Sequence, residues 1–136
     1  MDLGLSKKAL PLLKKVRHMI NEDIIPLESE FFSEVSRSSN RFTYTPRMIE
    51  IIEGLKNKAK SEGLWNFWLT NSDRGLGLST VEYAYLAEEM GKCRLGAEVF
   101  NCSAPDTGNT EVFARFGSKQ HKQKWLEPLL KGEIRS

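Results

Sequence analysis

Leu13, Val16, Ile20, Ile24, Leu27 and Phe31 recur at steps of three and four residues. That spacing draws one apolar stripe along about five turns of a helix and along no other regular structure. A second stripe runs through Met48, Ile51, Ile52, Leu55 and Ala59, and a third through Trp125, Leu126, Leu129 and Leu130. No segment sustains the period-two alternation of a half-buried strand, and no internal repeat appears. Helices with one apolar face each must bury those faces against one another. The expected fold class is all-α, a single domain over residues 1–136 with about five or six helices.

The boundaries follow from local chemistry. Pro11 sits early, where a missing N–H costs little, whereas Pro26 is expected to kink or interrupt the far end of the first helix. Ser33 to Tyr44 is polar and serine-rich and reads as a mobile loop over residues 33–44. Thr45-Pro46 places a hydroxyl cap before a proline at the first helical position, and Gly63 ends that helix after Glu62. Leu64-Trp65-Asn66-Phe67-Trp68-Leu69 lacks a helical period and reads as an extended aromatic segment packed on the helices, a single helical turn being the alternative. Gly75-Leu76-Gly77 then reverses the chain, both glycines being able to take positive φ. Ser79 opens the next helix, with Glu82 three residues on to complete a capping box. Leu95 to Cys102 is compatible with a short helix, and Ser103 to Asn109 breaks or redirects the chain. Thr110 to Phe116 puts Val112, Phe113 and Phe116 on one side. Ser118 caps a last helix from Lys119 to about Leu130, closed by Gly132.

Composition bounds the function classes. The chain has 136 residues, 40% of them hydrophobic and 28% charged, and a formal charge of +2. That balance gives no concentrated basic face of the kind nucleic acid requires. No apolar run approaches the ~18 residues of a membrane span. Cys93 and Cys102 lack metal-ligand spacing, and His18 and His121 do not complete a set, so no metal site is expected. The two thiols read as reduced, which points to an intracellular protein. Lys7, Lys8, Lys14, Lys15 and Arg17 against Asp2 also suit a mitochondrial presequence, although the apolar stripe argues for a domain helix.

Several stretches resemble one family. Glu22-Asp23-Ile24-Ile25-Pro26-Leu27-Glu28 resembles the end of the first helix in acyl-CoA dehydrogenases, and Lys60-Ser61-Glu62-Gly63-Leu64-Trp65 resembles their helix-to-Gly-Leu-aromatic exit. Gly75-Leu76-Gly77-Leu78-Ser79 with Leu86-Ala87-Glu88-Glu89-Met90-Gly91 is similar to their most recognisable N-terminal text. The run from Phe116 to Glu133 resembles the helix leading to their middle domain. The set extends in order from about Leu10 to Ser136. Val99 to Asn109 resembles a branch with long-chain acyl preference, some of whose members carry a fused phosphotransferase-like domain. Arg74 departs from the pattern, standing where the family often has a glycine.

The resemblance implies the N-terminal helical domain of that fold, without the middle β-domain and the C-terminal four-helix domain. It implies that a full-length enzyme removes the α-proton of an acyl-CoA with a carboxylate base and passes the β-hydride to FAD. The base and most flavin contacts would lie in other segments, so no catalytic or cofactor-binding residue is expected here. The 136 residues by themselves are expected to hold no FAD and to lack dehydrogenase activity. What the domain would supply is one wall of the acyl-chain tunnel, falling on Ala104, Pro105, Thr107 and Gly108. A helix-breaking turn without a ligand is the plainer reading of those residues. The resemblance also implies acyl-CoA as the small-molecule partner and allows a homo-oligomer. Mitochondrial, peroxisomal and cytoplasmic locations stay open.

Other candidates are weaker. Glu88 and Glu89 are adjacent, so on a helix they point about 100° apart and cannot share a substrate. Gly75-Leu76-Gly77 lacks the third glycine and the strand-helix-strand setting of a dinucleotide loop. His121 lies among lysines on a charged face, and Trp65, Phe67 and Trp68 suit core packing better than a ligand box. Two functions of different class remain: part of a flavin-dependent dehydrogenase, or a stand-alone helical module that binds a partner or an acyl-carrying molecule.

Overall fold

The computed structural model describes residues 4–40, 42–70 and 74–136, and among them every regular element is helical. α1 (Ala9–Met19) passes through a π-helical turn (Ile20–Ile24) into α2 (Ile25–Arg37). Then come α3 (Pro46–Ser61), α4 (Thr80–Met90), the short α5 (Gly96–Val99) and α6 (Asp106–Phe116). α7 (Lys119–His121) enters a second π-helical turn (Lys122–Leu126), which continues as α8 (Glu127–Lys131).

α1 packs on α4, α2 on α3, and α5 on both α3 and α4, while α6 lies against α8 and the π turn before it. The main core gathers Val16, Met19, Ile20, Ile24, Ile51, Ile52, Leu55, Leu64, Phe67, Leu86, Val99 and Phe100. All three predicted stripes supply buried residues, with the exceptions given below.

The two π turns share one cause. Each ends two residues before a proline, Pro26 in one case and Pro128 in the other. A proline has no N–H to give the carbonyl four residues back, and its ring crowds that carbonyl. Widening the preceding turn re-routes the local bonding and absorbs the conflict without ending the rod. The interruption expected at Pro26 is therefore a local widening upstream of it.

The extra residue in a π turn also changes helical phase. Leu126 and Leu129 remain buried, but Trp125, expected on the core face, is 41% exposed, and its ring lies beneath the Lys124 ammonium at 4.8 Å.

Three helix starts match local signals. The Thr45 hydroxyl accepts from Met48 N–H, Ser118 accepts from His121 N–H, and Ser79 with Glu82 forms the reciprocal capping box. Replacing Ser79 by alanine is expected to lower stability by about 1 kcal/mol, read from urea unfolding of the chain. In the turn before it only Gly77 takes positive φ (63°). Gly75 is needed for a different reason: a Cβ there would sit 2.1 Å from the Leu69 carbonyl oxygen.

Two expected boundaries move. Ser33, Ser36 and the residues between them continue α2 as far as Arg37, so the loop begins at Ser38 and not at residue 33. The serines are tolerated because Ser33 Oγ donates back to the Glu30 carbonyl and Phe31 beneath them is buried. Within that loop Arg41 lies outside the described residues. α6 begins at Asp106, four residues before the expected start, because Pro105 and Gly108 do not break it. Pro105 precedes the first turn, where a donor is not required, and Gly108 is merely a weak helix former.

Leu64–Leu69 is non-helical, as expected, and its aromatic residues are structural. Phe67 is wholly buried, Trp65 Nε1 donates to the Leu130 carbonyl at 2.8 Å, and Trp68 Nε1 donates to the Asn101 carbonyl at 2.8 Å.

Candidate acyl-chain wall at the start of α6

Ala104, Pro105, Thr107 and Gly108 come together where the chain turns into α6. The Ala104–Pro105 peptide bond is cis. Ala104, Pro105 and Gly108 are exposed and Thr107 is half-buried. A Cβ built on Gly108 meets nothing within 4 Å, so the turn presents open space there.

The stripe continues along the helix. Val112 and Phe116 follow Gly108 at steps of four and are 55% and 80% exposed. The sequence reading puts these two with Phe113 on one side. In the structure only Phe113 turns partly inward, reaching toward the His121 ring at 6.3 Å between centroids. The row Gly108, Val112 and Phe116 is thus small at its start and bulky at its end, and the exposed Glu111–Arg115 ion pair lies beside it.

The buried polar groups of α6 are engaged. Asp106 is buried, and its Oδ1 accepts from Ser136 N–H at 2.7 Å and Ser136 Oγ at 2.8 Å, while Oδ2 pairs with Arg135. Arg135 also pairs with Glu98, whose other oxygen takes Lys56 Nζ at 2.7 Å. Burial pushes the Asp106 carboxyl up, but donation from Ser136 and the charge of Arg135 outweigh it and hold the group below its usual value. Burial likewise opposes ionisation of Glu98, and Lys56 with Arg135 reverses the sign. No local pattern signals this network, since its members lie on α3, α5, α6 and the segment after α8.

These residues allow a simple test of what could lie on the wall. Methyl, methylene and backbone surface fits an alkyl chain. Of Ala104, Pro105, Thr107 and Gly108, only Thr107 carries a polar side-chain group, and both oxygens of the Asp106 carboxylate between Pro105 and Thr107 are taken.

The remaining candidates have structural partners. Glu89 is buried and accepts from Arg17 Nη2 at 2.6 Å and Lys92 Nζ at 2.7 Å, and the Arg17 guanidinium foremost holds its carboxyl below the usual range. Glu88 faces solvent, as helix geometry required. His121 is exposed. Cys93 and Cys102 are free and buried, and burial pushes the Cys102 thiol up to about 12, which makes it a poor nucleophile. Among the described residues no group of three or more His, Cys, Asp or Glu could hold a metal ion, and no helix is long and apolar enough to cross a membrane.

One pair of residues escaped the sequence reading altogether. Asn66 and Asn101 both take positive φ, at 59° and 55°. Asn101 Nδ2 donates to Asn66 Oδ1 at 2.7 Å and to the Leu129 carbonyl at 3.1 Å, and Asn66 Nδ2 donates to the Leu130 carbonyl at 2.8 Å. The pair ties α8, and with it α6, to the main core. An asparagine inside an aromatic run was the available signal, since asparagine tolerates this backbone region better than other side chains do.

Comparison with known proteins agrees with this architecture. Residues 10–133 match the family model described as acyl-CoA dehydrogenase, N-terminal domain. The chain is 44% identical over 138 residues to acyl-CoA dehydrogenase family member 10 of Mus musculus, covering 98% of this chain and 12% of that protein. It is 44% identical over 131 residues to acyl-CoA dehydrogenase family member 11 of Homo sapiens, covering 96% and 16%. A solved structure assigned as an acyl-CoA dehydrogenase from Mycobacterium abscessus superposes with a TM-score of 0.84 at 39% identity, over 97% of this chain and 33% of that one. The chain therefore spans less than a fifth of these two curated relatives and a third of the solved chain. It belongs to the acyl-CoA dehydrogenase family and corresponds to the N-terminal helical domain of that family.

Proposed function

We propose that this domain serves the α,β-dehydrogenation of a fatty acyl-CoA by forming one wall of the acyl-chain tunnel, with Ala104, Pro105, Thr107 and Gly108 as the lining. The observation that carries the reading is the outer face of α6. Exposed Pro105, Gly108, Val112 and Phe116 form an apolar row along it, beside the exposed Glu111–Arg115 ion pair, with the small residues at the end where a chain would pass. When bound, FAD supplies the hydride acceptor for this chemistry, and no residue of the wall is given a role toward it. The contribution of α6 is to remove methylenes from water and hold the chain straight. Each methylene so buried contributes about 0.8 kcal/mol, so a wall that accepts several of them favours long chains over short ones.

A bulky side chain at the open glycine tests this. In the full-length protein, Gly108→Leu fills the space of two or three methylenes. It is expected to lower kcat/KM for a sixteen-carbon acyl-CoA by roughly 15- to 60-fold. The four-carbon thioester, too short to reach that depth, is expected to change by less than about threefold. Gly108 also suits the test because a Cβ added there meets no neighbour within 4 Å. An unaltered chain-length profile in that variant contradicts the assignment.

A further inference from the structure

The wall has little on its own side to hold it in place. Pro105 makes no side-chain cap to the first turn of α6, and a Cβ at Gly108 would meet nothing within 4 Å. Backbone bonds from Thr107 N–H to the Ser103 carbonyl and from Asn109 N–H to the Pro105 carbonyl, both at 3.2 Å, set the local turn but not its place in the domain. Its anchorage comes from within. Asp106 directs both carboxylate oxygens to Arg135 and Ser136, and Asn109 Nδ2 adds a bond to Ser136 Oγ at 2.9 Å. Arg135 carries the connection to Glu98 of α5, and Glu98 carries it to Lys56 of α3. Four separate segments thus meet through one chain of alternating charges, and its acidic end sits one residue before Thr107 and two before Gly108.

We infer that Asp106 and Arg135 are positioning residues for the acyl wall, locking the first turn of α6 to the segment holding Ser136 and to the helices beneath. This rests on the tunnel-wall reading above and adds the device that gives the wall a fixed position. Asp106 is buried beneath the outer surface of α6, and Arg135 acts here through its ion pairs with Asp106 and Glu98. Their effect is on how closely the wall stays against the distal methylenes. Each methylene kept from water is worth about a fourfold gain in affinity. A wall that drifts and forfeits two of them loses roughly 15-fold for a long chain and far less for a chain that ends before reaching it.

The test uses the full-length protein and non-oxidisable thioether analogues of acyl-CoA with four- and sixteen-carbon chains. Calorimetry gives Kd for each, and the ratio of the short-chain Kd to the long-chain Kd is the readout. Asp106→Asn keeps size and removes the charge that Arg135 meets, and it is expected to lower that ratio roughly tenfold or more. Ser136→Ala deletes one hydroxyl without touching a charge, and it is expected to move the ratio the same way by roughly two- to fourfold. A general loss of folding would weaken both analogues alike and leave the ratio in place, so the ratio separates positioning from mere stability.

Gly108→Leu serves as the reference variant. If it shifts the ratio while Asp106→Asn leaves it at the parent value, the positioning role is overturned and the wall stands. If Gly108→Leu itself leaves the ratio unchanged, the wall reading fails and this inference fails with it. Should Asp106→Asn prove insoluble, an unchanged ratio in Ser136→Ala overturns the inference instead.

Discussion

Truncating Phe100 to alanine is expected to destabilise the chain by about 3–5 kcal/mol and to lower its melting temperature by roughly 10–20 °C. The ring is wholly buried at the end of α5 and lies 5.4 Å, centroid to centroid, from the equally buried ring of Phe67. Two costs add. The ring's apolar surface returns to water in the unfolded comparison, and the hole it leaves strips contacts from Phe67 and from neighbours that cannot collapse into it. The Phe100 carbonyl also accepts from Asn66 N–H at 3.1 Å, so movement of this backbone is transmitted to the aromatic segment. A domain of this size has about 5–15 kcal/mol in total, which makes the loss a large share of it. Urea unfolding at constant m-value measures the effect, and a loss below about 1 kcal/mol would mean that the Phe67–Phe100 contact is not central to the core.

Asn66→Ala is the second large effect, at about 2–4 kcal/mol, and its origin is mainly polar. Alanine at φ 59° is strained by about 1 kcal/mol relative to a residue that tolerates the left-handed region. Removal of the amide takes one of two bonds from each of its partners, the Leu130 carbonyl keeping Trp65 Nε1 and Asn101 Nδ2 keeping the Leu129 carbonyl, at about 0.5–1.5 kcal/mol apiece. Asn66→Gly separates the two parts, because glycine relieves the backbone and still lacks the amide. It is expected to recover about 1 kcal/mol of the loss and no more. Full recovery by glycine would show that the bonds to α8 contribute nothing. The consequence reaches the candidate wall, since α6 rests on α8 and on the π turn before it, and the asparagine pair is a direct tie between α8 and the main core.

What the sequence made legible was what local chemistry decides. A hydroxyl needs only the next three residues to cap a helix, and Thr45, Ser79 and Ser118 all do so. The stripe from Leu13 to Phe31 reports its own burial because successive turns share a face, although the π turn within it is invisible to a period of 3.6. That same blindness explains Trp125. A phase shift ahead of Pro128 turns it outward while Leu126, the adjacent residue, takes the core position. Asn66 with Asn101, and Lys56 with Glu98, Asp106 and Arg135, depend on long-range pairing that no spacing rule encodes. The start of α6 is legible as a place but not as a structure: proline and glycine close together predict a break, yet the helix begins just after Pro105 and runs through Gly108.

The most direct test of the central claim is photo-crosslinking of the full-length protein with a long-chain acyl-CoA carrying a diazirine on its distal carbons, followed by peptide mass mapping. The assignment predicts that label falls on the peptide spanning Ala104 to Phe116 and is displaced by excess unlabelled palmitoyl-CoA. Displaceable label confined to other segments, with none between Ala104 and Phe116, would contradict it.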